Sequence, residues 1–123
     1  MSELLLSFIM PTFNSSEYLA KTMDSLIASI GQHSSSVEII CVDDGSTDST
    51  VAILEEYKSV FDNLIIIRNN HGGVSQARNT ALDMVSGAFI SFVDSDDLFE
   101  ENFLDIFSSI ENNFDILFTD VKY

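Results

Sequence analysis

The sequence predicts an α/β fold, an open, mostly parallel, doubly wound sheet with helices on both faces, and three observations predict it. Short apolar runs of strand length alternate along the chain with stretches of helical periodicity, the pattern of βαβ units joined by right-handed crossovers. Those runs are apolar throughout rather than at every second residue, as expected for strands buried on both faces. Polar and acidic residues gather where the runs end, at the carboxyl edge where open α/β sheets bind ligands.

Each element follows in order. Leu5 to Met10 is an apolar run of strand length that Pro11 stops. Leu19, Met23, Leu26, Ile27 and Ile30 fall at i, i+4, i+7, i+8 and i+11, one face of a helix. Asn14, Ser15 or Ser16 can cap that helix, and Gly31 ends it. Ser34-Ser35-Ser36 reads as a loop. Glu38 to Val42 is a second strand rich in β-branched residues. After the turn Asp43-Asp44-Gly45-Ser46, a helix carries Ile53, Leu54, Tyr57, Val60 and Phe61 inward. Leu64 to Ile67 is the third strand, and Asn69 to Gly73 is a polar, glycine-bearing loop. The third helix sets Val74, Ala77, Ala81 and Val85 on one side until Gly87 breaks it. Ala88 to Val93 is the fourth strand and runs into Asp94-Ser95-Asp96-Asp97. Phe103, Ile106, Phe107 and Ile110 mark a fourth helix, and Asp115 to Phe118 a fifth strand.

Length and charge narrow the function. A chain of 123 residues makes one small domain. Twenty acidic against five basic side chains leave a formal net charge of −15, which argues against a nucleic-acid partner and against an anionic membrane surface. One cysteine, Cys41, rules out an intrachain disulfide framework, and two histidines, His33 and His71, disfavour a multi-histidine metal site. The apolar stretch near the start is far too short to span a bilayer and has no basic residue before it. The expectation is a cytoplasmic protein with no transmembrane segment.

The chemistry is sought at the strand ends. Pro11-Thr12-Phe13-Asn14 follows the first strand, Asp43-Asp44 the second and Asp94-Ser95-Asp96-Asp97 the fourth, while Arg78 lies on the third helix. Crowded carboxylates repel one another unless a cation offsets them. Asp94-x-Asp96, where a strand runs into a loop, can bring two carboxylates to one crevice. Hard oxygen ligands of this kind suit Mg²⁺ or Mn²⁺, which keep waters and take other ligands from substrate phosphates.

Four motifs in register make the resemblance specific: Ile9-Met10-Pro11-Thr12-Phe13-Asn14, Val42-Asp43-Asp44-Gly45-Ser46-Thr47-Asp48-Ser49-Thr50, Gly73-Val74-Ser75-Gln76-Ala77-Arg78-Asn79 and Phe92-Val93-Asp94-Ser95-Asp96-Asp97. Through them essentially the whole chain resembles the N-terminal half of a GT-A glycosyltransferase of family 2, the inverting nucleotide-sugar transferases. That resemblance implies a Rossmann-like nucleotide-binding half and a nucleotide-diphospho-sugar donor, with a UDP-sugar foremost. It implies transfer to a sugar or lipid-linked acceptor hydroxyl in cell-surface polysaccharide synthesis, with peripheral association at the inner membrane face. It assigns nucleotide binding to Pro11, Thr12, Phe13, Asn14, Glu17, Asp43, Asp44, Arg78, Asp94 and Ser95, with Asp43 accepting from the base edge. It assigns the metal, Mn²⁺ or Mg²⁺, to Asp96 with Asp94, and leaves Asp97 as a further support or helix cap.

Each residue also has a plainer reading. Phe13 can be a buried core aromatic. Asp44 and Asp48 suit turn and cap chemistry. Arg78 can pair with a neighbouring acid, Glu17 can serve a helix N-terminus, Cys41 can fill the core, and His71 can be a solvated turn residue. The catalytic residues themselves stay unknown. An inverting transferase needs a general base, which the resemblance puts beyond Tyr123; Glu100, Glu101 and Asp120 do not sit at its position. The expectation is a single nucleotide-sugar-binding domain over 1–123, incomplete at its C-terminal end, that self-associates through apolar surface near the fifth strand and fourth helix. The alternatives are a non-catalytic nucleotide-diphosphate-binding or assembly module and, more remotely, a Mg²⁺-dependent phosphatase. A receiver domain is disfavoured because Arg68-Asn69, not an aspartate, ends the third strand.

Overall fold

The computed structural model describes residues 6–69, 72–86 and 89–96. Four parallel strands, β1 (Leu6–Thr12), β2 (Val37–Asp43), β3 (Leu64–Arg68) and β4 (Phe89–Phe92), form one sheet in the order β3-β2-β1-β4. Between them lie α1 (Leu19–Ile30), α2 (Thr50–Tyr57) and α3 (Val74–Leu82), so the predicted alternation is the one found. The fourth helix and fifth strand expected at 103–110 and 115–118, the surface proposed for self-association, and residues 71, 87, 88, 97, 100, 101 and 120 lie outside the described residues, as does the side chain at 74.

The strand order explains the layers. The path β1 to β2 to β3 moves one way across the sheet, and β4 returns to the far side of β1. With crossovers of constant hand, reversing direction moves the helix to the other face. The core shows this division. Leu6, Phe8 and Met10 of β1 and Val37, Ile39 and Cys41 of β2 pack with Leu19, Met23, Leu26 and Ile30 of α1 and Leu54 of α2. The alternate residues Ile9, Ile40 and Val42 pack with Ala77 and Ala81 of α3. Side chains alternate across a strand, so both sets are largely apolar, and these strands read as hydrophobic runs interrupted only by buried polar residues such as Ser7 and Glu38, which bond each other.

Several boundaries differ from the sequence reading. Pro11 does not stop the first strand: β1 continues to Thr12, paired with Asp43. Thr12 turns its carbonyl toward β2, accepting from the Asp44 N–H at 2.9 Å, whereas Ile9 turns its carbonyl toward β4, accepting from Val93 at 2.9 Å. By this alternation Pro11 faces the β4 side, beyond the last β1–β4 pair, Ile9 with Phe92. Its missing N–H therefore falls at the rung where the β1–β4 ladder ends. Ser34 to Ser36 belong to a 3₁₀ segment, Gly31–Ser36, rather than a loop. Val60 does not face inward. The second helix ends at Tyr57, which leaves Val60 61% exposed in the following turn while Phe61 re-enters the core. None of the three expected caps occupies the N-cap position of α1, which is Tyr18; Ser15 contributes through its carbonyl, which accepts from Tyr18 and Leu19. Gly31 does end α1, with φ of 53° and its N–H bonded to Ile27, a left-handed backbone that suits glycine.

Candidate functional site at the β1–β4 switch point

The reversal of strand order opens a crevice at the carboxyl ends of β1 and β4, the place where ligands bind in open α/β sheets. It encloses about 220 Å³ and is lined by Pro11, Thr12, Phe13, Ser15, Asp44, Ala77, Asp94 and Ser95. Six of the ten residues expected to bind nucleotide thus converge on one crevice. Asn14, Glu17, Asp43 and Arg78 do not line it, and Ser15 and Ala77 line it without having been singled out. Their signal was weak: Ser15 reads as a cap and Ala77 as core packing.

Phe13 follows β1 and is 46% exposed, so the buried-core reading is excluded and an aromatic face stands at the crevice. Thr12 donates from Oγ1 to Asp43 Oδ1 at 2.9 Å. Asp43 also accepts from the Ser46 hydroxyl at 2.6 Å and the Ser46 N–H at 2.9 Å, and it is fully buried. Its expected place at a base edge is therefore not the one seen: the oxygens of Asp43 organise the turn after β2 from beneath. Asp44 is the carboxylate of this pair that lines the crevice.

Asp44 also accepts from Gly72 N–H at 2.6 Å and Gly73 N–H at 2.8 Å. It thereby satisfies donors at the start of α3, where a negative charge is favoured by the helix dipole. Gly73 occupies the N-cap position with φ of 92° and ψ of 169°, a region essentially restricted to glycine. The cap and crevice readings of Asp44 are both realised.

Asn14 clamps two loops rather than facing the crevice. Its backbone is left-handed, with φ of 48°, a conformation asparagine tolerates better than most residues. Its N–H donates to the Ser46 hydroxyl at 2.8 Å, and its Oδ1 accepts from the Thr47 N–H at 2.8 Å. Asp48 behaves as turn and cap chemistry predicts, accepting from the Thr50 N–H, the Thr50 hydroxyl and the Ser16 N–H. The Thr50 hydroxyl holds its carboxyl well below the usual carboxylate range. Glu17 is exposed in the turn before α1. Cys41 is a buried core residue whose thiol is pushed up to about 12, by burial first and by Asp43 second.

Arg78 of α3 holds its guanidinium 5.5 Å from the centre of the Phe92 ring, a cation–π distance. Its Nη2 lies 3.9 Å from Asp94 Oδ1, with both side chains substantially exposed, a geometry of small intrinsic strength. Nε of Arg78 is enclosed and has no hydrogen-bond partner among the described residues. Both alternatives for Arg78 thus retain support: it pairs with an acid at the crevice rim and keeps donor capacity.

The Asp94-Ser95-Asp96 segment is anchored by its middle residue. Ser95 Oγ is 2.8 Å from Ser15 Oγ, and its carbonyl accepts from Thr22 Oγ1 at 2.9 Å. Asp94 and Asp96 are both exposed; Asp94 lines the crevice and Asp96 follows beyond the anchor. No group of three or more His, Cys, Asp or Glu among the described residues forms a metal cage. The donor set nonetheless fits a hard divalent ion that takes one or two carboxylates from protein and the rest from phosphate and water.

An open parallel sheet with its crevice at the switch point, acidic strand ends and a glycine-started helix define an α/β domain of the GT-A type. The chain belongs to glycosyl transferase family 2, whose family model matches residues 7–120. It is 37% identical over 100 residues to glycosyltransferase GlyA of Streptococcus pneumoniae, covering 81% of this chain and 14% of GlyA. It is 40% identical over 94 residues to the poly(ribitol-phosphate) beta-glucosyltransferase of Bacillus spizizenii, covering 75% and 15%. The crystal structure of S. aureus TarS 1-349 in complex with UDP-GlcNAc superposes with a TM-score of 0.81 at 35% identity, covering 89% of this chain and 31% of that one. The chain therefore spans only a minor part of the relatives it matches.

Proposed function

We propose that this chain is the donor-binding part of an inverting glycosyltransferase. It takes a nucleoside-diphospho-sugar, a UDP-sugar foremost, into the β1–β4 crevice and presents it to an acceptor hydroxyl on a sugar or lipid-linked polymer. One observation carries this reading: Pro11, Thr12, Phe13, Asp44, Asp94 and Ser95, distant in sequence, line one crevice at the switch point. The relatives' activities on poly(ribitol phosphate) and the UDP-GlcNAc complex of TarS support a cell-surface polymer and a uridine nucleotide. Among the described residues no helix is long and apolar enough to cross a membrane; a cytoplasmic location with peripheral association at the inner membrane face is part of the proposal.

In this reading Phe13 stacks on the base and Asp44 faces its edge, while Asp43 holds Thr12 and Ser46 from below. Asp94 and Ser95 stand toward the ribose and diphosphate, and Arg78 offers donors to an anion at the rim. Asp96 with Asp94 would hold Mn²⁺ or Mg²⁺. Such an ion, when bound, offsets the negative charge that develops on the departing diphosphate.

Calorimetric titration with UDP-, GDP- and dTDP-sugars, with and without Mn²⁺, tests the proposal. The expected result is UDP-sugar binding that Mn²⁺ strengthens, and an Asp96→Asn variant in which that metal dependence is gone. Absence of binding by every nucleotide sugar overturns the reading. Nucleotide affinity and metal response unchanged in Asp96→Asn overturn the metal assignment.

A further inference from the structure

We propose that Thr22 and Ser15 are positioning residues that set the geometry of the Asp94-x-Asp96 carboxylates by gripping the residue between them; the metal-binding half of this inference rests on the function proposed above. Thr22 sits on α1, 1% exposed, and Ser15 in the turn before it, 7% exposed. A helical threonine usually returns its hydroxyl to a carbonyl of the preceding turn. Thr22 instead donates to the carbonyl of Ser95, 73 residues away, at 2.9 Å. Ser15 reaches the Ser95 hydroxyl at 2.8 Å, and its own N–H is held by Thr50 Oγ1 at 2.8 Å. The grip thus carries on into the start of α2.

The place of the grip matters. The N–H of Val93 is held by β1 through Ile9 at 2.9 Å, and Ser95 is held from α1. Asp94 is bracketed between the two anchors, and Asp96 leaves directly from the second. Without the Thr22 bond the carbonyl of Ser95 loses its anchor to α1, and the peptide joining Ser95 to Asp96 is free to turn. A divalent ion with few protein ligands depends on where those carboxylates already stand, because ordering them on binding costs affinity. The Ser15 hydroxyl also lies 3.3 Å from the Phe13 N–H and carbonyl, whereas the Thr22 hydroxyl goes to the Ser95 carbonyl, so it is the Thr22 half of the grip that bears on the Asp94–Asp96 segment apart from the base.

The full chain with Thr22→Val, which keeps the shape and removes the hydroxyl, tests this against Thr22→Ser, which keeps the hydroxyl. Two readouts are taken: Mn²⁺ titration of the UDP-saturated protein, and amide hydrogen exchange over residues 94–96. Thr22→Val is expected to weaken Mn²⁺ binding by about threefold to tenfold, to speed exchange at 94–96, and to lower UDP affinity less without metal than with it. Thr22→Ser is expected to restore both. Exchange at 94–96 unaltered in Thr22→Val overturns the inference, as does an equal loss of UDP affinity with and without metal. If the unaltered chain binds no Mn²⁺ with UDP, the metal assignment fails, and the exchange readout alone still decides whether Thr22 holds the segment.

Discussion

Two pairs of carboxylates stand at the ends of two strands of one sheet and are built in opposite ways. Asp43 and Asp44, at the end of β2, are 0% and 7% exposed, and their oxygens accept from Thr12, Ser46, Gly72 and Gly73. Asp94 and Asp96, after β4, are exposed, and the Arg78 guanidinium stands 3.9 Å from Asp94. The difference follows from strand position. β2 is flanked on both sides by β1 and β3, so three loops close over its end and remove water, and a buried carboxylate persists only with its oxygens satisfied. β4 pairs with β1 alone among the described strands, and its end stays wet. The inner pair is thereby spent on holding loops together, with Asp44 turned to the crevice as well. The outer pair, in the proposed function, offers its charge to a ligand. Identical side chains at equivalent strand ends thus differ in role because their solvation differs.

The contrast can be broken most sharply at Asp43. Asp43→Ala leaves the Thr12 hydroxyl and both Ser46 donors without their acceptor, and a loss of about 3 kcal/mol in unfolding free energy is expected from urea titration. A stability equal to that of the unaltered chain would mean that the inner pair holds nothing. Gly73→Ala attacks the same network from the backbone. A Cβ there meets nothing within 4 Å, so the cost is conformational alone, about 1–3 kcal/mol for a residue forced into this region. A Gly73→Ala protein with an unshifted midpoint would show that the α3 start relaxes freely.

Acid sharpens the comparison through Asp48, an exposed carboxylate that nevertheless has partners. Its folded-state pKa is depressed, with the Thr50 hydroxyl as first cause, whereas in the unfolded chain an aspartate titrates near about 3.9. Its contribution is therefore complete above that value and is lost as pH falls below it toward the depressed folded value. In Asp48→Asn the part of the acid-induced loss of stability below pH of about 4 that belongs to this group should disappear. Identical acid limbs for the two proteins would refute it. Asp96→Asn is expected to have the smallest effect on folding, within about 0.5 kcal/mol in metal-free buffer, since its effect belongs to ligand binding. A large loss of stability there would erase the distinction between the two pairs.

Much of this arrangement was legible in the order of residues. The periodicity of Leu19, Met23, Leu26, Ile27 and Ile30 marked α1, and the apolar runs marked four strands, because burial on one stripe or on two faces leaves a local imprint. The edge bearing the site was legible too, since polar residues collect where the runs end. Pro11 and Val60 were misread for definite reasons. A proline is harmless in a strand when its missing donor faces a finished ladder, and a helix that stops at Tyr57 turns an apparently inward residue outward. Asp43 was misread because neighbouring aspartates look alike until the loops above them are placed. Ser15 was read as a cap and Thr22 was not singled out, because no local pattern reveals a bond to Ser95.

By itself the sequence determined the class of fold, the elements in their order and the family, through hydrophobic spacing, glycine placement and four motifs in register. Those are properties of short segments, carried by a few residues at a time. Only the tertiary structure decided that β4 lies beside β1, that the crevice opens between them, that Asp44 rather than Asp43 lines it, and that Ser95 is held from α1. These depend on which distant loops meet and which polar groups lose water when they do, and hydrogen bonds spanning as many as 80 residues leave no trace in local spacing.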